Sequence, residues 1–418
     1  MLPAESLVRL PARLRGSLSC AALLLAFVTI SAATGCQSKP SAGPEPDRHP
    51  AGYSTASPPP REAPPPPPVA DYAPKYPLSP PPPPTEGYSP NYAVVRVFYA
   101  TDRRPTGRLE PAEFYGSERS ENEAVSRGTL DVSIPRDHRM GQIERPSILR
   151  LEFHEDPEKH VVLLTVSSKS EEQFFRELST RVDGSSGKEA FVFIHGYDNT
   201  FEQAAWRTAQ LAYDLGFDGA PILYTWPSSG TVEGYPADEA TIEWTTPHLK
   251  AFLEDIAAQS HATTIHLIAH SMGNRALTRA LASIGADHSR VRPMFNHVFL
   301  AAPDIDVGVF KQLADTFPSA AGDVTLYASS KDEAIAASER FHQYPRAGDS
   351  KVITVVPRVD TIDASAVDTG LLGHAYYGDN RSILSDIHSV MRTGDPPNKR
   401  FGMYPLPSAQ PKYWAFRP

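Results

Sequence analysis

Thiols are almost absent from this sequence: its 418 residues include only Cys20 and Cys36. Cys20 lies inside the apolar stretch "LSCAALLLAFVTISAA", so a disulfide framework is excluded if that stretch is removed. Neither a cysteine cluster nor an H-E-x-x-H pattern is present, which argues against a structural or catalytic zinc; no metal is expected. Long runs of one charge are also missing. Lys and Arg total 40 against 49 Asp and Glu, a net charge of −9, and no basic cluster offers itself to phosphates, so a nucleic-acid partner is not expected. A dinucleotide site would need G-x-G-x-x-G after the first parallel strand, where "HGYDNT" stands instead. The stretch "DGSSGKEA" fails as a phosphate loop, because Val182 occupies the first Gly position and Glu189 follows Lys188 where Ser or Thr is required. No cofactor is expected.

What is abundant is proline, 42 residues in all, with many crowded into "SPPPREAPPPPPVADYAPKYPLSPPPPP" (Ser57 to Pro84). Such a stretch cannot bury a core and reads as polyproline II, a stiff spacer able to span roughly 80 Å. Upstream of it, Arg9, Arg13 and Arg15 precede the apolar stretch, which is short for a membrane span and ends in small residues: a secretory signal pattern. "ATGC" then resembles a bacterial lipobox, with Ala33 where Leu is commoner and Cys36 at the position that is lipid-modified. Multiple acyl chains on Cys36 would tether the protein stably. Gln37 after that cysteine resembles an outer-membrane sorting signal. The expected organisation is a signal over 1–35, a spacer over 36–90, a globular domain over 91–395 and a C-terminal tail over 396–418. A cell-envelope location follows, lipid-anchored and facing the periplasm.

The globular part opens with strand candidates and no helices between them: "YAVVRVFYATDR", "GTLDVSIP" (Gly128 to Pro135), "ILRLEFHE" (Ile148 to Glu155) and "HVVLLTVSS" (His160 to Ser168). From about Ser170 the rhythm becomes strand and helix in alternation. "SEEQFFRELSTRV" has helical spacing at Phe174, Phe175, Leu178 and Val182, and Thr200 with Gln203 forms a candidate capping box for a helix that Gly216 ends. A helix broken or kinked near Pro247, then "TTIHLIAHS", "FNHVFLAAPDI", "GDVTLYASS" and "SKVITVVPRV" (Ser350 to Val359) as strands with helices between, complete the series. The fold class expected is α/β: a mostly parallel sheet with helices on both faces and an N-terminal antiparallel β extension.

In such sheets ligands meet the carboxyl ends of the strands. "TTIHLIAHSMGNRALTRAL" places Ser271 at one of these ends, with Ala269 two before it and Gly273 two after. That is the strand–turn–helix elbow of G-x-S-x-G, with Ala in the first Gly position. The pattern alone would occur by chance roughly 0.3 times in a chain this long, and a helix-opening serine is otherwise a cap, so the supporting groups matter. "FVFIHGY" offers an oxyanion loop in which the backbone N–H groups of Tyr197 and Met272 are the candidate donors, with Gly196 allowing close approach. His195 reads as a loop-stabilising residue. His374, in "TGLLGHAYYGDN", is the candidate base, since Ser first and His last is the hydrolase order. Asp332 in "LYASSKDEAIAAS" is the favoured acid and Asp304 in "AAPDID" the rival. Tyr197, Trp226, Tyr235 and Trp244 are candidate pocket residues, and Gly230 to Pro247 a candidate lid.

Taken together, "VFYATDR", "HGYDNTFEQAA", "YTWPS", "AHSMGN", "LAAPDID", "LYASSKDEAIAAS" and "GHAYYGD" resemble the α/β hydrolases grouped as domain of unknown function nine hundred, from Tyr92 to about Ser389. The resemblance implies an α/β-hydrolase fold with Ser271, Asp332 and His374 as a triad. The function expected is that of a serine esterase or lipase-like hydrolase, acting on a small-molecule or lipid ester, with the membrane as partner through the anchor. The alternative is a catalytically silent hydrolase fold kept as a binding or scaffolding module of the envelope.

Overall fold

A computed structural model describes residues 91–147, 152–286, 292–367, 381–406 and 412–417. The chain divides into two units, Met1–Val69 and Ala70–Pro418. The first lies outside the described residues, as do Cys36, the signal and the Pro-rich stretch; the architecture below is that of the second.

The strands are β1 (Tyr92–Thr101), β2 (Arg103–Pro105), β3 (Tyr115–Arg119), β4 (Ser126–Pro135) and β5 (Val162–Lys169), followed by helix α1 (Glu171–Asp183). Alternation then sets in: β6 (Glu189–Ile194), α2 (Phe201–Asp214), β7 (Ala220–Thr225), α3 (Tyr235–Gln259), β8 (Thr264–His270), α4 (Gly273–Gly285) and β9 (Phe295–Ala301). The chain continues through α5 (Val307–Ala314), α6 (Phe317–Ala320), β10 (Ala321–Ala328), α7 (Glu333–His342), β11 (Asp360–Asp363), α8 (Arg381–Thr393), β12 (Met403–Pro405) and β13 (Trp414–Phe416).

Among the described residues an 11-stranded sheet has the order β12-β13-β11-β10-β9-β8-β6-β7-β1-β4-β5. Neighbours from β13 through to β1 are parallel. The pairs β1–β4 and β4–β5 are antiparallel, so the N-terminal antiparallel extension lies at one edge of the sheet, as the sequence predicts, and β12–β13 adds a further antiparallel pair at the opposite edge. The central strands read as continuous apolar runs because both faces are covered. Side chains of α1, α3, α4 and α5 pack on one face and those of α2 and α8 on the other.

Local signals act where expected. Ser170 and Thr200 each cap their helix in a reciprocal box with Gln173 and Gln203, and Phe174, Phe175, Leu178 and Val182 are the buried residues of α1. Helix α3 runs unbroken through Pro247. No helix among the described residues is long and apolar enough to cross a membrane.

Two expectations for strands need correction. Residues 350–359 do not form the strand that their apolar run suggests; β11 begins only at Asp360. Pro357 lacks a ladder donor and Arg358 adopts a left-handed φ of +63°, so the chain turns before it can pair. In 148–155, residues 148–151 lie outside the described part and 152–155 carry no strand. At the other end, the residues beyond 396 extend the sheet through β12 and β13. Arg400, buried between Asp360 and Asp386, fixes this segment to the domain, with an Nη2–Oδ2 distance of 3.2 Å and an Nη1–Oδ2 distance of 3.5 Å.

Candidate functional site

The sheet order reverses around β6. Strand β7 lies on one side of it and β8 on the other, and the helices that follow β6 and β8 pack on opposite faces. The carboxyl ends of β6 and β8 therefore lie at the reversal of strand order, the position where α/β sheets take ligands. Ser271 stands there, immediately after β8.

Its backbone is held in a sparsely populated conformation. Ser271 has φ of +49°, a left-handed state that costs a non-glycine residue about 1–2 kcal/mol. The surroundings enforce it. Ser271 N–H donates to Ala301 O at 3.0 Å, and Ser271 O accepts from Asn274 N–H at 3.1 Å and Asp304 N–H at 3.2 Å. The Asn274 side chain adds a clamp, its Nδ2 donating to Ser271 O at 3.0 Å and to Ala301 O at 3.1 Å. Steric limits explain the small residues. A Cβ on Gly273 would fall 2.4 Å from His195 O, and one on Gly196 would fall 2.9 Å from Ser271 Cβ. The turn after β8 and the loop after β6 are thus in contact.

That loop is built on a neutral histidine. His195 is fully buried, stacked on Trp226 with ring centroids 5.2 Å apart. Its Nε2 faces Thr225 Oγ1 at 2.9 Å and accepts from Trp226 N–H at 3.2 Å. Nδ1 therefore carries the proton and donates to Gly196 O at 2.7 Å. Burial, helped by the nearby Arg103 guanidinium, pulls the ring's pKa down to about 3. Because a trans peptide is planar, pinning the Gly196 carbonyl also fixes the direction of Tyr197 N–H, opposite to that carbonyl. His195 serves the loop rather than acting as a base. Met272 N–H, at the start of α4, belongs to the first turn, where backbone donors lack intrahelical acceptors.

Arg103 braces the same loop from below. Only 1% exposed, it donates through Nε to Thr225 Oγ1 at 2.9 Å, through Nη1 to Ser228 O at 3.1 Å and through Nη2 to Asn199 O at 2.7 Å. Desolvation lowers its pKa to about 10, against the pull of Asp102 and Asp238. Asp102, fully enclosed, accepts from Tyr224 OH, Thr245 Oγ1 and His248 Nδ1, tying β1 to β7 and α3.

The two acid candidates have different surroundings. Asp332 follows β10 and caps α7, its Oδ1 accepting from the N–H groups of Ala334 and Ile335 at 3.0 Å each. It is 6% exposed. Asp304 follows β9 and is committed on both oxygens. Oδ2 accepts from Tyr235 OH at 2.5 Å and Arg275 Nη2 at 3.0 Å, and Oδ1 accepts from Ser338 Oγ at 2.5 Å with Arg346 Nε at 3.4 Å. Burial works against its ionisation, but Arg275 and the two hydroxyls outweigh that and hold the carboxyl below the usual range. Asp304 is the centre of a buried ionic cluster that joins the turn at Ser271 to α3, α4 and α7.

His374 lies outside the described residues. The chain leaves β11 at the carboxyl edge shared by β8 and β10, where Ala364 N–H donates to Ala328 O at 2.8 Å. The other candidates sort clearly. Trp226 is buried under the loop, Trp244 packs on His248 along α3, and Tyr197 meets Tyr235 edge to face at 5.2 Å. A cleft of about 590 Å³ lined by Ala257, Thr263, Ile265 and Met294 lies at the amino ends of the strands, away from Ser271. Among the described residues no group of three or more His, Cys, Asp or Glu side chains is arranged to hold a metal ion.

Sequence reasoning did not single out Asn274, Arg103 or Arg275. Each sits inside a quoted motif, "AHSMGN", "VFYATDR" or the following "R", yet a buried polar side chain is indistinguishable from an exposed one until its neighbours are known.

No curated protein matches this chain. One family model, described as an alpha/beta hydrolase of unknown function (DUF900), matches residues 169–390. That span runs from the end of β5 into α8 and includes the turn at Ser271, the loop at Gly196 and both acid candidates. With a sheet of this order and a serine strained at the carboxyl end of a central strand, the chain belongs to this family of α/β hydrolases of unknown function.

Proposed function

We propose that the protein is a serine hydrolase cleaving carboxylic esters through an acyl-enzyme on Ser271. The observation that carries this reading is the φ of +49° at Ser271, kept in place by four backbone and side-chain hydrogen-bonding groups and by contact with Gly196. A left-handed, non-glycine turn of this kind is costly, and such strain collects at functional sites. A helix cap would not need it.

In this reading His374 takes the proton from Ser271 Oγ as the oxygen attacks the ester carbonyl. Asp332 orients the imidazole and stabilises its charged form. The carbonyl oxygen becomes an oxyanion that the N–H groups of Tyr197 and Met272 receive. His374 then returns the proton to the departing alcohol, leaving the acyl group on Ser271. Water, deprotonated by the same ring, attacks the acyl carbon; the bond from that carbon to Ser271 Oγ breaks, the ring returns its proton to Oγ, and the acid is released. Asp304 is assigned to holding the turn, since its oxygens are already bound to Tyr235, Arg275 and Ser338.

Acylated Cys36 would place the enzyme at the bacterial envelope, where lipids and acylated components supply esters. A fluorophosphonate probe tests the central claim. Labelling of the folded protein that disappears in Ser271→Ala supports it. A folded protein that the probe leaves unlabelled favours the silent binding module instead.

A further inference from the structure

An aromatic path runs from the loop beside Ser271 to the surface. Its inner end is Tyr197, next to the Gly196 that abuts Ser271 Cβ. The Tyr197 ring meets the Tyr235 ring at 5.2 Å with an interplanar angle of 79°. Tyr235 in turn meets Phe341 at 6.1 Å and 71°. Phe341 ends the path in solvent, 64% exposed.

Three separate elements supply these rings: the loop after β6, the first turn of α3 and the last turn of α7. The arrangement is anchored. Tyr235 OH donates to Asp304 Oδ2 at 2.5 Å and receives Arg275 Nη2 at 2.9 Å. Asp304 N–H is itself bonded to Ser271 O. Helix α7 lies across the carboxyl edge. Asp332 starts it beside β10, Ser338 in its middle reaches Asp304 beyond β9, and His342 at its end meets Glu239 of α3 at 2.6 Å. The phenol hydroxyl of Tyr235 faces inward to the ionic cluster, while its ring packs against those of Tyr197, Phe341 and His342 and lies 5.9 Å from the Arg275 guanidinium. An exposed phenylalanine alone needs no explanation. One that continues a run of rings beginning at the residue after Gly196, the glycine that touches Ser271, has a place beside the site.

We infer that Tyr197, Tyr235 and Phe341 form an acyl-binding wall that selects esters with an extended apolar acyl chain. This rests on the proposed hydrolase reading and adds a substrate class to it. Several methylenes laid along the three rings would lose water contact on binding, while the shortest acyl group would end near Tyr197 and never reach Phe341.

The test compares kcat/KM for p-nitrophenyl octanoate and p-nitrophenyl acetate, both below the concentration at which the octanoate aggregates. The parent protein is expected to favour octanoate. Phe341→Ala should lower the octanoate-to-acetate ratio roughly fivefold, chiefly through KM for octanoate, and Phe341→Leu should restore most of it. A parent that cleaves acetate without favouring octanoate, or a ratio that Phe341→Ala leaves unchanged, overturns the wall while leaving the hydrolase standing. A fall of equal size for both esters overturns it too, since the ring would then act on the fold. A parent that cleaves neither ester defeats the hydrolase reading and this inference with it.

Discussion

Gly196 and Ser271 touch across two neighbouring strand ends: a methyl group on the glycine would lie 2.9 Å from the serine Cβ. The contact couples the loop after β6 to the turn after β8. Gly196→Ala must therefore push the loop, the turn or both. It should slow fluorophosphonate labelling by at least about tenfold, because displacement of this order misplaces donors and nucleophile together. Circular dichroism should show the fold retained. Labelling at the parent rate would mean that the two loops do not act as a unit.

Strain at Ser271 predicts a stability order. Ser271→Ala keeps a Cβ at φ +49°, whereas Ser271→Gly removes it. The glycine variant should be more stable than the alanine variant by about 1 kcal/mol, and both should lose ester turnover. Urea denaturation of the pair measures the difference. Equal midpoints would show that the turn is unstrained.

Asn274 clamps that turn from behind, donating to Ser271 O and Ala301 O. Asn274→Ala leaves buried carbonyl oxygens with fewer partners. A loss of about 1–3 kcal/mol in stability is expected, with kcat falling more than KM rises. A change confined to KM would place Asn274 outside the chemistry.

The two aspartates should separate by variant. Asp332→Asn is expected to cut kcat by ~10³-fold or more at a modest cost in stability, as when the acid that orients a catalytic imidazole is neutralised. Asp304→Asn strips the charge facing Arg275 and Arg346 and should cost about 3–5 kcal/mol of stability. Thermal melts and steady-state turnover on both variants decide the matter. The reverse pattern would exchange their roles.

A pH effect is expected far from the site. His138 lies between Glu144 at 2.8 Å and Asp214 at 2.9 Å. Burial opposes its charge, but the hydrogen bonds to Asp214 and Glu144 prevail and raise its pKa from 6.5 to about 9. The folded state thus binds a proton more tightly than the unfolded one. The resulting stabilisation is fully present below pH 6.5 and is lost as pH rises through about 9. Asp214→Asn should lower Tm clearly at pH 6 and much less at pH 10. A Tm difference that does not depend on pH would mean that the ring is uncharged in the parent.

Much of this architecture was legible in the residues themselves. Apolar spacing located α1, the Thr200–Gln203 box started α2, and the change from bare strands to alternating strands and helices announced the parallel sheet with its antiparallel edge. These features depend on neighbours in sequence, which is why they could be read there. Small residues around Ser271 likewise signalled a tight turn. The run at 350–359 misled because its apolar residues pack as a loop, and a strand needs a free ladder as well as apolar character.

The sequence by itself determined the class of fold, the position of the turn at Ser271 and the short list of groups that could assist it. Tertiary structure alone decided how those groups are used. It committed Asp304 to Tyr235, Arg275 and Ser338, buried His195 as a neutral support, brought Gly196 against Ser271, and aligned three rings from separate elements. These outcomes depend on distance and desolvation between residues far apart in the chain. Both are set by packing, which no local pattern of residues encodes.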